Sequence, residues 1–294
     1  SLRGQDGMNE FLVAFGLNLP AAMNQVGQFV DLGERRIAGQ ARGAIEVAGP
    51  NLRTRQLRAD MSLTSLDLRG VLKEPLQLQQ AGLTFSAEMG LDERYMPQEM
   101  RDMEMKIESD LAQADFRAES VHFGSFLPKE LQGGRLNVRS SLGRLRQVVA
   151  AVTSLPESLK ADGGLDLRAE FALADNALAL RSFHTELSSL DLALDERRLQ
   201  QPSVVVTAEP LTVQLDTSFR PRSVNDINLK MESGLAAVGF TAASVILEPG
   251  EPIALHDGRL AMQTRLAALM AVVRAMADLP EPLALSGGLD VTTS

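Results

Sequence analysis

The amino-acid sequence predicts a mainly β protein, a long antiparallel meander with one short amphipathic helix per repeat. The first observation is alternation, because many stretches of the 294 residues place apolar side chains at every second position. This pattern is typical of strands with one dry face and one wet face. The second observation is recurrence, because "SLPESLKADGGLDLRAE" and "DLPEPLALSGGLDVTTS" share Leu-Pro-Glu and Gly-Gly-Leu-Asp. The segments recur with a period of roughly 120 residues, which indicates a repeat protein.

Each repeat is predicted to begin with a helix. Apolar residues follow a spacing of three and four in "LGRLRQVVAAVTS", in "RLAALMAVVRAMAD" and, more faintly, in "LNLPAAMNQVGQFVDLGE". That spacing is typical of an amphipathic helix. The predicted helices lie near residues 21–31, at 143–155 and at 265–278. Pro156 and Pro280 end the second and third of them, because proline cannot continue a helix.

Strands are predicted where the period changes to two, as in "LTFSAEM", "LDLRAEFAL", "LTVQLDTSF" and "INLKMES". Motifs such as "EPLQLQQAGLTF" and "EPIALHDGRLAM" predict hairpins, because a glycine-containing turn separates two alternating stretches. The Gly-Gly pairs beginning at Gly133, Gly163 and Gly287 are interpreted as turns as well. In the faintest copy, "GAIEVAG" from Gly43 is interpreted as the counterpart of "GGLDLRAE" from Gly163.

The dry-face positions of the alternating stretches are the candidate site residues. We expect them to line one continuous apolar surface, although the same residues could interdigitate as the core of an ordinary sandwich. They are Leu83, Phe85, Met89, Leu165, Leu167, Phe171, Leu211, Val213, Leu215, Leu229, Met231 and Phe240.

The size of the predicted sheet limits how it can fold. About a dozen strands at ~4.8 Å spacing make a sheet roughly 55 Å wide. Helices of ~14 residues are only ~20 Å long, so two or three of them cannot cover its apolar face. We therefore expect the sheet to curl into a sandwich, a barrel or an open trough.

Three repeat units are predicted along the chain. Residues 1–141 form the first unit and residues 142–263 the second, each with a helix followed by a β meander. Residues 264–294 are the start of a third unit, with a helix and a first strand. The chain opens without an initiating Met and closes as a strand begins, so we interpret it as an excerpt of a longer protein.

Composition excludes several classes of function. The chain has no Cys, which excludes disulfides, thiolate metal sites and cysteine nucleophiles. Its net charge is -9, whereas a nucleic-acid-binding protein needs a basic face. No apolar run approaches the ~18 residues of a membrane span.

The sequence indicates no catalytic centre. His122, His184 and His256 fall in three different strand-like stretches, and no nucleophile elbow, phosphate loop or HExxH motif is present. The acidic stretch from Glu99 to Glu108 is interpreted as a solvated face. We therefore predict that the chain is not an enzyme, with no catalytic residue, no metal site and no cofactor.

Two segments carry a resemblance to a known family. "RLAALMAVVRAMADLPEPLALSGGLDV" resembles the linker-helix and strand-entry pattern of the bacterial AsmA-like family, which includes the TamB-type proteins. "LDLRAEFALADNALALRSFHTELSSLDLAL" is similar to the strand–turn–strand segments of that family. The resemblance extends over most of the chain as a style of repeat.

The resemblance implies a U-shaped β groove in the periplasm, anchored to the inner membrane by a segment outside this chain. It also implies that the groove carries phospholipid, or another lipid, between the inner and outer membranes and so supports outer-membrane homeostasis. The expected partners are phospholipid acyl chains and, through other parts of the protein, both membranes. An outer-membrane protein is a further expected partner, and nucleic acid is not.

Two other functions fit the same pattern. One is a scaffold for outer-membrane protein assembly in the TamB manner, in which an exposed edge strand pairs with a client protein. The other is a purely structural β-solenoid with a filled core and no ligand.

Overall fold

The structure is a computed structural model, and it describes residues 2–4, 10–26, 35–49, 51, 53–124, 127–156, 158–194, 197–247, 253–266, 270 and 287–293. Most of these residues lie in antiparallel strands, interrupted by two short helices. The prediction of a mainly β meander is therefore confirmed. The chain divides into two compact units. Unit 1 comprises Ser1–Ser140 and Arg144–Leu155, and unit 2 comprises Ser141–Gly143 and Pro156–Ser294.

Unit 1 contains an eight-stranded antiparallel meander in which each strand pairs with the next along the chain. Its strands are β1 (Leu2–Gly4), β2 (Glu10–Asn18), β3 (Arg36–Ala48), β4 (Thr54–Arg69), β5 (Leu76–Leu91), β6 (Pro97–Ser109), β7 (Ala112–Gly124) and β8 (Leu127–Ser141, whose last residue is assigned to unit 2).

Unit 2 repeats this arrangement with two of its strands interrupted. Its strands are β9 (Lys160–Ala174), β10 (Ala177–Leu194), β11 (Arg197–Ala208), β12 (Leu211–Leu215), β13 (Pro221–Ser233), β14 (Ala236–Ile246), β15 (Ala254–His256), β16 (Arg259–Arg265) and β17 (Gly288–Thr293). β11 and β12 lie end to end between β10 and β13. β15 and β16 both pair with β14, and β16 pairs with β17.

The two helices lie where helical spacing was predicted, with different ends. Helix α1 spans Leu19–Val26, and the remainder of the prediction over 21–31 lies outside the described residues. Asn18 begins it, because its side-chain oxygen accepts a hydrogen bond from the Ala21 N–H at 3.0 Å.

Helix α2 spans Leu142–Val152 and ends three residues before the predicted end at 155. The residue that precedes Pro156 is disfavoured in the α conformation, so the helix stops before it. Of the third predicted helix, Leu266 and Met270 have helical conformation and most of the rest lies outside the described residues.

Several turn predictions are wrong, because the glycines that were predicted to form the turns lie inside long strands. Gly82 lies within the continuous strand β5, Gly133 within β8 and Gly163 within β9. Gly133 and Gly163 have φ angles of 62° and 126°, and a glycine with positive φ inside a strand marks a β-bulge. The sequence pattern of alternation on both sides of a glycine was interpreted as a hairpin. In this structure it corresponds to one continuous strand with a bulge at the glycine.

The stretch "LTVQLDTSF" was also predicted to be one strand, and this too is wrong. β12 ends at Leu215, and Asp216 begins a loop that contains Thr217 and Phe219. The Asp216 side chain accepts hydrogen bonds from the Ser218 and Arg220 N–H groups, which closes a turn in place of further strand.

Many features of the two units recur at a spacing of 124 positions (163 − 39, for Gly163 and Gly39). Strand β6 (Pro97–Ser109) and strand β13 (Pro221–Ser233) obey this spacing at both ends. So do six pairs of residues with positive φ: Gly39 and Gly163, Ser65 and Ser189, Tyr95 and Phe219, Asp102 and Asp226, Gly133 and Asp257, and Gly163 and Gly287. The structural counterpart of Gly163 is therefore Gly39, four residues before the Gly43 that the sequence suggested.

Side-chain hydrogen bonds obey the same spacing. The Ser109 hydroxyl donates to the Ala112 carbonyl at 3.0 Å, and the Ser233 hydroxyl donates to the Ala236 carbonyl at 3.1 Å. Each hydroxyl also accepts hydrogen bonds from two N–H groups of its own β-turn. The repeat is therefore built into turn chemistry as well as strand length.

We predict that Gly163→Ala destabilises the chain by about 1–3 kcal/mol, because an L side chain is strained at this φ. A Cβ at Gly163 would also lie 2.7 Å from the Ser188 carbonyl oxygen. The measurement is the free energy of unfolding in urea. Gly239→Ala is the control in the same unit, because no atom lies within 4 Å of the added Cβ there. Equal stability of the two variants would contradict the bulge assignment.

Candidate functional site: the apolar sheet face

One face of the unit 1 sheet carries apolar side chains across its strands. Directly opposed residues of antiparallel neighbours share a face, so the strand register defines rows that cross the sheet. One row runs from β2 to β8 through Val13, Ile45, Ala59, Phe85, Met105, Phe116 and Leu136. The next runs through Phe15, Gly43, Met61, Leu83, Ile107, Ala114 and Val138. We call this surface the apolar face of unit 1.

Gly43 is the one residue without a side chain in these rows, and its close contact with Phe15 explains why. A Cβ at Gly43 would lie 2.7 Å from the ring of Phe15. Glycine therefore leaves the space that the neighbouring aromatic ring fills, which is a known use of glycine inside a strand.

The opposite face of unit 1 is polar. Next to the first apolar row, on the side away from the second, runs a row of Leu12, Glu46, Arg58, Ser86, Glu104, Arg117 and Arg135. Glu104 and Arg117 form an ion pair at 3.5 Å across β6 and β7. The sheet therefore separates a wet face from a dry face along its whole width.

Unit 2 has an apolar face of the same kind. One row runs from β9 to β17 through Leu167, Thr185, Val206, Met231, Val238, Met262 and Val291. The next runs through Ala169, Phe183, Ala208, Leu229, Phe240, Leu260 and Thr293. A third, nearer the other strand ends, contains Leu173, Leu178, Val213, Val224, Val245 and Leu255. We call this surface the apolar face of unit 2.

The structure places all twelve sequence-predicted site residues on strands. Three of them belong to the apolar face of unit 1: Leu83, Phe85 and Met89. The other nine belong to the apolar face of unit 2: Leu165, Leu167, Phe171, Leu211, Val213, Leu215, Leu229, Met231 and Phe240.

Sequence reasoning missed much of the apolar face of unit 1. Met105 and Ile107 lie in the stretch Glu99 to Glu108, which was interpreted as a solvated acidic face. That interpretation holds for the even-numbered positions Glu104, Lys106 and Glu108, which are opposite polar residues of β7. Met105 and Ile107, which alternate with them, were the signal for an apolar face.

Bulges keep the apolar residues on one face along strands of 13 residues or more. Ala118 and Val121 in β7 are both 3% exposed although they are three positions apart. In a regular strand, residues three apart point to opposite faces. The bulge at Asp102 in the neighbouring strand, with φ 48°, marks where the alternation shifts by one residue.

Both apolar faces are partly open to solvent. In unit 1, Phe15 is 42% exposed, Met61 39% and Ile107 37%, although all three lie in one apolar row. Among the described residues, no large side chain is less than 2% exposed. The interior of an ordinary sandwich is close-packed and buries such residues. The exposures therefore favour an open surface over a filled core.

The three histidines lie in three different strands. His122 lies in β7, His184 in β10 and His256 in β15. His122 Nε2 lies 3.2 Å from Glu99, which also binds Arg101 at 2.6 Å. The hydrogen bond from Arg101 lowers the pKa of Glu99, and the charges of Arg101 and His122 lower it further. In the part of the chain that the structure describes, no three His, Asp or Glu side chains cluster as a metal site would require.

Over the same described residues, no helix is long and apolar enough to cross a membrane. Comparison with protein-family models, with curated proteins and with solved structures found no match to this chain.

We predict that an acidic substitution on the apolar face lowers the free energy of unfolding much more where the replaced side chain is buried than where it is exposed. Ile227 and Met231 lie in the same strand, β13, and are 7% and 36% exposed. Ile227→Asp should cost about 3 kcal/mol or more, because its carboxylate is buried without a partner. Met231→Asp should cost less than about 1 kcal/mol, because its carboxylate stays hydrated. Urea unfolding measures both, and similar large losses would show that the face is a packed core.

Proposed function

We propose that the apolar faces of this chain hold the acyl chains of phospholipid, or of another lipid, and carry it without chemical conversion. The observation that carries the proposal is the unbroken row of apolar residues across β2–β8, in which large side chains are partly exposed. An exposed apolar surface of this extent on a soluble domain marks a binding site for a partner or ligand.

The energetics suit an acyl chain. Each CH₂ group of a lipid tail costs ~0.8 kcal/mol in water, so a ~15-carbon tail costs on the order of 12 kcal/mol. A dry face that continues from strand to strand removes this cost wherever the tail lies. The proposed activity needs no catalytic residue, no metal and no cofactor.

The setting of this activity follows from the resemblance to the AsmA-like family. We propose a periplasmic location, with an inner-membrane anchor outside this chain and transport between the inner and outer membranes. The repeat at 124 positions supports a conduit, because each unit contributes an apolar face of the same kind. A U-shaped groove formed by such units is part of the proposal.

The solenoid alternative is disfavoured by exposure. A filled β-solenoid core would bury large side chains, whereas Met61, Ile107 and Met231 are each more than a third exposed. The assembly-scaffold alternative requires strand pairing at a sheet edge and not an apolar face. Crosslinking of edge strands to a nascent outer-membrane protein would favour that alternative.

We predict that Leu83→Asp lowers the lipid bound to the purified chain while the fold survives. Leu83 and its neighbour Thr84 lie on opposite faces of β5, so Thr84→Asp is the matched control and should leave bound lipid unchanged. Leu167→Asp and Val213→Asp should behave as Leu83→Asp does. The measurements are organic extraction with mass spectrometry and thermal unfolding.

Two results would contradict the proposal. One is that no lipid is extracted from the wild-type chain and none binds when a fatty acid is added. The other is that Leu83→Asp and Thr84→Asp retain equal amounts of lipid.

We also predict that replacing His122, His184 and His256 together with Gln leaves lipid binding unchanged, because no reactive constellation surrounds them. The same extraction measures this. A large loss of bound lipid in a folded variant would reveal a site that depends on histidine.

A further inference from the structure

The hairpin between β5 and β6 has an aromatic residue where its turn requires a left-handed backbone. The Tyr95 N–H donates to the Asp92 carbonyl at 3.1 Å, and the Asp92 N–H donates to the Met96 carbonyl at 2.9 Å. The Asp92 carboxylate accepts hydrogen bonds from the Arg94 and Met96 N–H groups at 2.8 and 2.9 Å. Tyr95 has φ 61°, in the bulge position that such three-residue hairpin loops usually give to glycine.

The hairpin between β12 and β13 is built in the same way. The Phe219 N–H donates to the Asp216 carbonyl at 3.0 Å, and Phe219 has φ 60°. The Asp216 carboxylate accepts hydrogen bonds from the Ser218 and Arg220 N–H groups at 2.7 and 2.9 Å. Unit 2 therefore repeats the turn, the capping aspartate and the aromatic residue.

The aromatic residues do not serve the turn itself. Glycine adopts positive φ without strain, whereas a bulky side chain is disfavoured there. Packing compensates little at Tyr95, which is 60% exposed, and Phe219 still has 37% of its surface exposed. The intervening residues differ between the two loops, Glu93-Arg94 in one and Thr217-Ser218 in the other. An aromatic residue occupies this position in both turns despite the backbone strain. We take this as an indication that the side chain contacts a ligand or partner outside the turn.

Each loop lies directly beyond the end of an apolar face. Leu91 ends β5 two residues after Met89, and Leu215 ends β12 two residues after Val213, so both leucines continue the dry side of their strands. From this placement we infer that Tyr95 and Phe219 are part of the acyl-chain binding surface, one aromatic at the rim of each unit. The inference rests on the proposed lipid binding and adds two residues that determine its affinity.

The sequence supplies a direct probe of this contact. Tyr95 is the single Tyr and the chain has no Trp, so tyrosine emission reports on one rim alone. A fatty acid that carries a nitroxide or bromine on its acyl chain should quench this emission in the whole 294-residue chain, with the same concentration dependence as its binding measured by mass spectrometry. The matching unlabelled fatty acid should compete and restore the emission. Tyr95→Phe provides the blank and should still bind.

Variants separate a binding role from a structural one. Tyr95→Gly and Phe219→Gly should each raise the midpoint of thermal unfolding, because strain is relieved, and weaken fatty-acid binding about three- to tenfold. Arg94→Gly, at the adjacent exposed position, is the control and should leave binding unchanged. Binding without quenching, or glycine variants that bind as the wild type does, would overturn the rim assignment and leave the proposed function intact. Absence of any fatty-acid binding would overturn both.

Discussion

The register between neighbouring strands is the constraint on which the rest of this structure depends. A side chain faces the dry side only if its strand is in phase with the strand before it, and a slip of one residue exchanges the two faces. In unit 1 the register is kept from β2 to β8, so residues distant in sequence, from Val13 to Leu136, form one row. Positive-φ residues such as Asp102 mark where the phase is corrected.

A sheet held in this way does not rely on a deep core. Cross-strand pairs contribute roughly 0.2–1 kcal/mol each, and backbone ladders satisfy the peptide groups. Among the described residues, most of the buried apolar side chains that are 3% exposed or less are small, namely Ala150, Ala151 and Ala118. Large apolar side chains are thereby left partly exposed, which is the physical link between the architecture and the lipid binding that we propose.

The sequence predicts the class of fold and the dry side of individual strands because the period of two is visible without any tertiary information. It does not predict where a strand ends, because a glycine with positive φ looks alike in a turn and in a bulge. Gly163 and Gly133 were misinterpreted for that reason, and Phe219 was placed in a strand because the capping role of Asp216 is invisible to alternation. Met105 was missed because its charged neighbours dominate the composition of β6. The rows across the sheet also depend on the register between neighbouring strands, and a single stretch of sequence does not reveal that register.

The partial exposure of the apolar rows has a thermodynamic consequence. Two quantities scale with the surface that unfolding newly exposes. They are the increase in heat capacity on unfolding and the slope of the unfolding free energy against denaturant concentration. Since Phe15, Met61 and Ile107 already contact water in the folded chain, less apolar surface remains to be exposed. We therefore expect the free energy of unfolding of this protein to vary less steeply with temperature than that of a globular domain of equal length. A bound acyl chain would restore the missing curvature, because it supplies the apolar contacts that a core supplies elsewhere.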